Sequence, residues 1–162
     1  MLTAAVVVLV LLWAAFNFAA PYAAAHLAQR ISPGRLPAEL MRRGEARRVR
    51  FYIGRCAQSY AFSAWAPPYT VVIFDAVFFA RATPEMLRYV VAHELGHAAW
   101  HHHVWRWLAA VTLTAYLPAV RRALLRQEVT ADDYAEALTG FRREHFERKP
   151  ERAIANANCL PL

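Results

Sequence analysis

From Leu2 through Ala25 the chain carries no charged side chain. This stretch limits the possible folds more than any other. At about 20 apolar residues per bilayer crossing, it is long enough to span a membrane as one helix. In a chain of 162 residues it leaves room for one compact domain behind it. Pro21 would kink that helix or end it near the surface. The rival reading is a cleaved leader, with Ala23 and Ala25 as its cleavage site. No Lys or Arg precedes the apolar run, so the basic start of a leader is missing and a retained anchor is expected. Hydrophobic residues make up 58% of the chain, and their excess sits in this segment rather than in an unusually greasy core.

The 19 Lys+Arg against 12 Asp+Glu give a net charge of +7, nearly all of it from arginine. Arg30, Arg35, Arg42, Arg43, Arg47, Arg48, Arg50 and Arg55 follow the apolar run. Basic residues next to a span stay in the cytoplasm, so the expected topology is single-pass, N-terminus out and domain in. No nucleic-acid motif accompanies the charge, and no nucleic-acid partner is expected. Cys56 and Cys159 form no metal or redox spacing and read as free thiols in a reducing compartment.

The chain divides into an anchor and connector over 1–29, a domain over 30–145 and a polar tail over 146–162. Ser32 to Gly44 reads as a connector with a short helix starting near Pro37. In Arg48 to Ile53, Val49, Phe51 and Ile53 alternate with Arg48, Arg50 and Tyr52, which predicts a half-buried strand. Tyr60 to Trp65 is a second strand, broken by Pro67 and Pro68, and the β-branched run Thr70 to Phe74 is a third. Thr83-Pro84-Glu85 predicts a helix start: a capping hydroxyl, proline at the first position and an acid in the first turn. That helix is expected to run to about His103, with Met86, Leu87, Val90, Val91, Leu95, Ala98 and Ala99 facing inward. Pro118 opens a second amphipathic helix, stopped by Thr139-Gly140. The expected fold is α+β. It has a short three-stranded sheet packed on the first helix, with a second helix beside it and one transmembrane helix in front.

His93-Glu94-Leu95-Gly96-His97 lies on the first helix. Residues four apart share a helical face, so two imidazoles can hold one zinc ion, with Glu94 beside them as the base that takes a proton from water. A catalytic zinc usually has three protein ligands. On the second helix Glu128 and Asp132 share the inward face with Leu124, Leu125, Ala131 and Ala135, and unpaired carboxylates are costly to bury. Glu128 is therefore the candidate third ligand. Asp132, one turn on, is the candidate acceptor for the free ring N–H of a zinc-bound histidine. The alternative is that both acids pair with Arg121, Arg122 or Arg126 on a solvated flank. His101, His102 and His103 cannot all share one helical face and read as a solvated helix end, although His101 could approach the zinc face.

Between about Tyr60 and Gly140 the chain resembles the HtpX-like and CaaX-prenyl-protease group of membrane gluzincin metallopeptidases. The resemblance rests on Ala61-Phe62 before a β-run, on Val91-Ala92-His93-Glu94-Leu95-Gly96-His97, and on Glu128-Val129-Thr130-Ala131-Asp132. It implies a zincin-like fold and one zinc per chain, held by His93, His97 and Glu128. Glu94 would be the general base, and Asp132 would support a ligand. It also implies that Ala61, Phe62 and Ser63 form an edge strand on which an extended substrate adds. Tyr60 stands where the family often has Asn, and Lys149-Pro150 is the nearest trace of its later His-Pro element. Tyr134, Arg142, Arg143 and His145 are the candidate transition-state stabilisers. Leu117-Pro118-Ala119-Val120 also resembles the metalloprotease domain of BlaR/MecR-type sensor proteins.

All three ligands must lie on one side of the membrane, and two crossings need about 40 residues. Only residues 98–127 separate His97 from Glu128. The apolar run Trp107 to Val120 should therefore not span, but pack in the core or lie on the bilayer face, the core being favoured. These readings predict a zinc metalloendopeptidase anchored in a bacterial inner membrane, acting on protein or peptide substrates at the cytoplasmic face. The alternatives are a regulatory protease that cleaves a repressor, or a non-catalytic membrane scaffold. The intact Glu94 speaks against the scaffold.

Overall fold

The computed structural model describes residues 2–32, 34–55 and 60–147. Cys56, Cys159, Lys149-Pro150 and all but the start of the polar tail lie outside them.

The uncharged run forms α1, Leu2–Leu27, which includes Pro21. At about 1.5 Å per residue it is roughly 39 Å long, and it is long and apolar enough to cross a membrane. Its far end does not hang free. Ala24, Ala25 and Ala28 pack against Ala66, Val71 and Ile73, on one face of the sheet.

Among the described residues that sheet has four strands, not three, in the order β1-β2-β4-β3. β2, Val49–Gly54, and β4, Tyr69–Asp75, pair in parallel, with Phe51 opposite Val72. β3, Ala61–Ala66, pairs antiparallel with β4 across the Pro67-Pro68 turn. β1 is only Gln29–Arg30, paired with Ile53 and Tyr52. Two residues carry no alternation, which is why the sequence pattern misses this strand. The expected alternation of β2 holds, with Val49 and Phe51 buried and Arg50 and Tyr52 half-buried. β4 is central and buried along most of its length, as an apolar β-branched run should be.

On the other face, Val49, Phe51, Val72 and Phe74 meet α4, Pro84–Ala99, through Val91 and Leu95. Leu40 of α2, Ala38–Ala46, fills one side of this core, and Phe78 of α3, Ala76–Arg81, another. The Thr83 hydroxyl accepts from Met86 N, capping α4 as its sequence predicts. α4 ends at Ala99, earlier than expected. His101 takes a left-handed backbone (φ 54°), and the chain turns into α5, His102–Val111. A short 3-10 turn, Thr114–Tyr116, leads to α6, Pro118–Thr139, which stops at Gly140 with φ 73°. The turn α7, Glu144–Glu147, follows. The preference for a core position of Trp107 to Val120 is overturned: Ala109 alone is buried there, while Leu113, Tyr116 and Leu117 are exposed.

Candidate metal centre

α4 presents His93 and His97 one turn apart, and α6 crosses it closely enough to bring Glu128 to both. Gly96 makes the crossing possible, since a Cβ there would lie 3.1 Å from the Ala131 Cα. The two Nε2 atoms are 3.1 Å apart. Glu128 Oε2 lies 3.4 Å from His93 Nε2, and Oε1 lies 3.7 Å from His97 Nε2. One donor atom from each residue falls within a 4.8 Å group able to hold a metal ion.

The outer ring nitrogens are held from behind. His93 Nδ1 is 2.7 Å from Asp132 Oδ1, which also accepts from the Tyr89 hydroxyl at 2.8 Å. His97 Nδ1 is 3.0 Å from His102 Nδ1. With protons committed to Asp132 and His102, both Nε2 lone pairs face each other and the Glu128 carboxylate. Three lone-pair donors pointed at one place repel unless a cation lies among them, so the donor set fits a metal, and two imidazoles with a carboxylate suit zinc.

Electrostatics follow the same geometry. The His93 and His97 imidazoles beside it, and then Arg106, hold the Glu128 carboxyl far below the usual carboxylate range despite burial. Burial alone would lower the His93 imidazole, but the neighbouring Glu128 carboxylate and the charges of Glu94 and Asp132 outweigh it and raise it. Burial, then His97 and Arg106, push His102 down to about 4, so it stays neutral and its Nδ1 can accept. Glu94 is 7% exposed, and its Oε2 has no hydrogen-bond partner among the described residues.

The acids do not pair with Arg121, Arg122 or Arg126. Arg106 of α5 bonds Glu128 through Nη2, and Arg143 Nη1 lies 3.5 Å from Asp132 Oδ2. Nor are the adjacent histidines a solvated helix end. Only His101 is exposed, while His102 meets His97 and His103 Nε2 lies 3.1 Å from Thr70 Oγ1. Tyr89, His102 and Arg106 escape the sequence reading. Tyr89 stands four residues before His93, a helical spacing that could have revealed it. The other two depend on the turn at His101. Among the stabiliser candidates, Tyr134 packs in the core with the Arg47 guanidinium over its ring. Arg142 pairs with Glu136, and His145 is exposed and bonds the Arg142 backbone. Ala61, Phe62 and Ser63 lie on β3, whose outer edge pairs with no strand among the described residues.

A mixed fold with two helices crossing at a His-His-Glu cluster is consistent with a metallopeptidase domain. More narrowly, the sequence model of peptidase family M48 matches residues 36–146, and the chain belongs to that family. No curated protein matches the chain.

Proposed function

We propose that this chain is a membrane-anchored zinc metalloendopeptidase of the HtpX-like kind. The observation that carries the reading is the convergence of His93 Nε2, His97 Nε2 and Glu128 on one point, with both Nδ1 atoms held from outside. Zinc bound there would supply a Lewis acid that acidifies water and polarises the scissile carbonyl. Glu94 is the base that takes the water's proton and returns it to the leaving amine, and its buried oxygen, without a partner among the described residues, supports that role. The free edge of β3 at Ala61, Phe62 and Ser63 supports binding of an extended substrate as an added strand. The apolar α1 supports anchoring, and the arginines behind it favour a cytoplasmic domain on a bacterial inner membrane.

The test is zinc content and casein cleavage by the purified full chain. Wild type should hold one zinc, Glu128→Ala should lose it, and Glu94→Gln should keep it while cleavage falls by at least about 100-fold. Cleavage that survives Glu94→Gln would overturn the role of the base, and equal zinc in Glu128→Ala would move the third ligand elsewhere.

A further inference from the structure

If α1 is the anchor, as proposed above, it sets the depth of whatever packs along it. A span needs about 20 residues. The candidate span, Ala5–Leu27, carries Trp13 well inside it and so well inside the bilayer. Trp13 Nε1 donates to Ala110 O at 3.1 Å, near the end of α5. At the other end of the shared length, the Tyr22 hydroxyl bonds Pro67 O in the β3–β4 turn. The start of α5 is fixed at nearly that level by His103 against Thr70. Trp13 to Tyr22 is roughly 13 Å of helix and His103 to Ala110 roughly 10 Å, so α5 runs beside α1 toward the same depth.

Beyond Ala110 the surface is apolar: Leu113 is 54% exposed, Tyr116 85% and Leu117 53%. No charge occurs between Arg106 and Arg121. Several polar groups of this turn find partners within it, while the Tyr116 hydroxyl can reach back toward the headgroups. Thr112 Oγ1 donates to Leu108 O at 2.7 Å and lies 2.9 Å from Thr114 Oγ1. Leu113 N donates to Ala110 O and Leu117 N to Thr114 O. Water would serve these groups equally well, whereas hydrocarbon requires internal partners. Arg121 and Arg122, one turn down α6, have side chains long enough to reach back to the headgroups.

We propose that the end of α5, the 3-10 turn and the first turn of α6 form a re-entrant hairpin embedded in the acyl region of the bilayer. Glu128 lies ten residues along α6 from Pro118, roughly 15 Å. The hairpin therefore holds the His93/His97/Glu128 cluster at the bilayer surface, where substrate segments leaving the membrane come within reach of β3.

The test uses the full chain carrying Cys56→Ser and Cys159→Ser, in phosphatidylcholine/phosphatidylglycerol vesicles. Single cysteines at Leu9→Cys in α1, Tyr116→Cys and Glu45→Cys carry an environment-sensitive fluorophore. The replaced side chains are all exposed, and circular dichroism checks the fold. Tyr116→Cys should lose as much fluorescence to doxyl-labelled lipid as Leu9→Cys and resist aqueous iodide, while Glu45→Cys does the reverse. If Leu9→Cys is quenched by lipid but Tyr116→Cys by iodide, the anchor stands and the hairpin is overturned. Shielding of Tyr116→Cys from both quenchers would mean a protein partner covers the turn, which also overturns it. If Leu9→Cys itself escapes lipid quenching, the anchor fails and the hairpin with it.

Discussion

At Gly96 a Cβ would lie 3.1 Å from the Ala131 Cα, 3.2 Å from the Tyr134 Cβ and 3.3 Å from the Ala131 carbonyl oxygen. Two of these are backbone atoms that cannot swing away. Gly96→Ala should therefore push α4 and α6 apart and draw Glu128 from the histidines. The expected cost is about 1–3 kcal/mol of stability, as for other overpacked sites, together with weaker zinc binding. Unchanged melting and unchanged affinity would show slack between the helices. The sequence pattern makes Gly96 visible as a spacer in the motif, but its packing role depends on α6. His102 is a second such residue, since its Nδ1 meets that of His97. His102→Ala should weaken zinc binding by about 10–100-fold, the usual effect of losing a partner behind a ligand. His102→Asn, whose Oδ1 can replace the lost acceptor, should recover most of it. Equal affinity in the alanine variant would sink the idea. The pairing is illegible in sequence because a helix continued through His101 would carry residue 102 off the ligand face.

Elements with strong boundary chemistry were legible. Thr83 and Pro84 open α4, Pro118 opens α6, and Gly140 closes it with a left-handed turn. β4 was legible from its apolar run. α3 was not, because Ala76–Arg81 is too short to show a helical period. Its start is nonetheless signed by Asp75, which accepts from Val77 N at 2.9 Å and Phe78 N at 3.0 Å. Asp75→Ala should cost about 1 kcal/mol, the usual value of a lost N-cap. Zinc content should not change, since α3 contributes no ligand. A denaturant melt and a metal assay on the same sample check both parts, and loss of zinc would mean that α3 positions the centre. The end of α4 was illegible for a different reason. No glycine or proline marks it, and His101 takes the left-handed conformation that usually calls for one.

At the scale of the molecule, the sheet lies between two unlike covers. α4, backed by α6, buries Val72 and Phe74 on one face, while the last turns of α1 lie over Val71 and Ile73 on the other. A division at residue 29, natural from composition, separates this second cover from the domain, because Ala24 and Ala25 read as membrane helix and Ala28 as connector although all three pack on the sheet. Burial of small side chains against a sheet leaves no signal that separates it from lipid exposure. The consequence is measurable in two detergent-solubilised truncations, one beginning at Pro21 and one at Gln29. The first keeps all three alanines and the second loses them, exposing apolar surface on Ala66, Val71 and Ile73. The longer chain should melt about 4–8 °C higher, a difference of about 1–2 kcal/mol in a domain of this size. Both should hold zinc at low temperature, because His93, His97 and Glu128 sit on the opposite side of the sheet. Equal melting temperatures would mean that α1 only tethers the domain. A higher melt for the longer chain would mean that its last turns belong to the domain's core, so that the anchor and the domain fold as one unit.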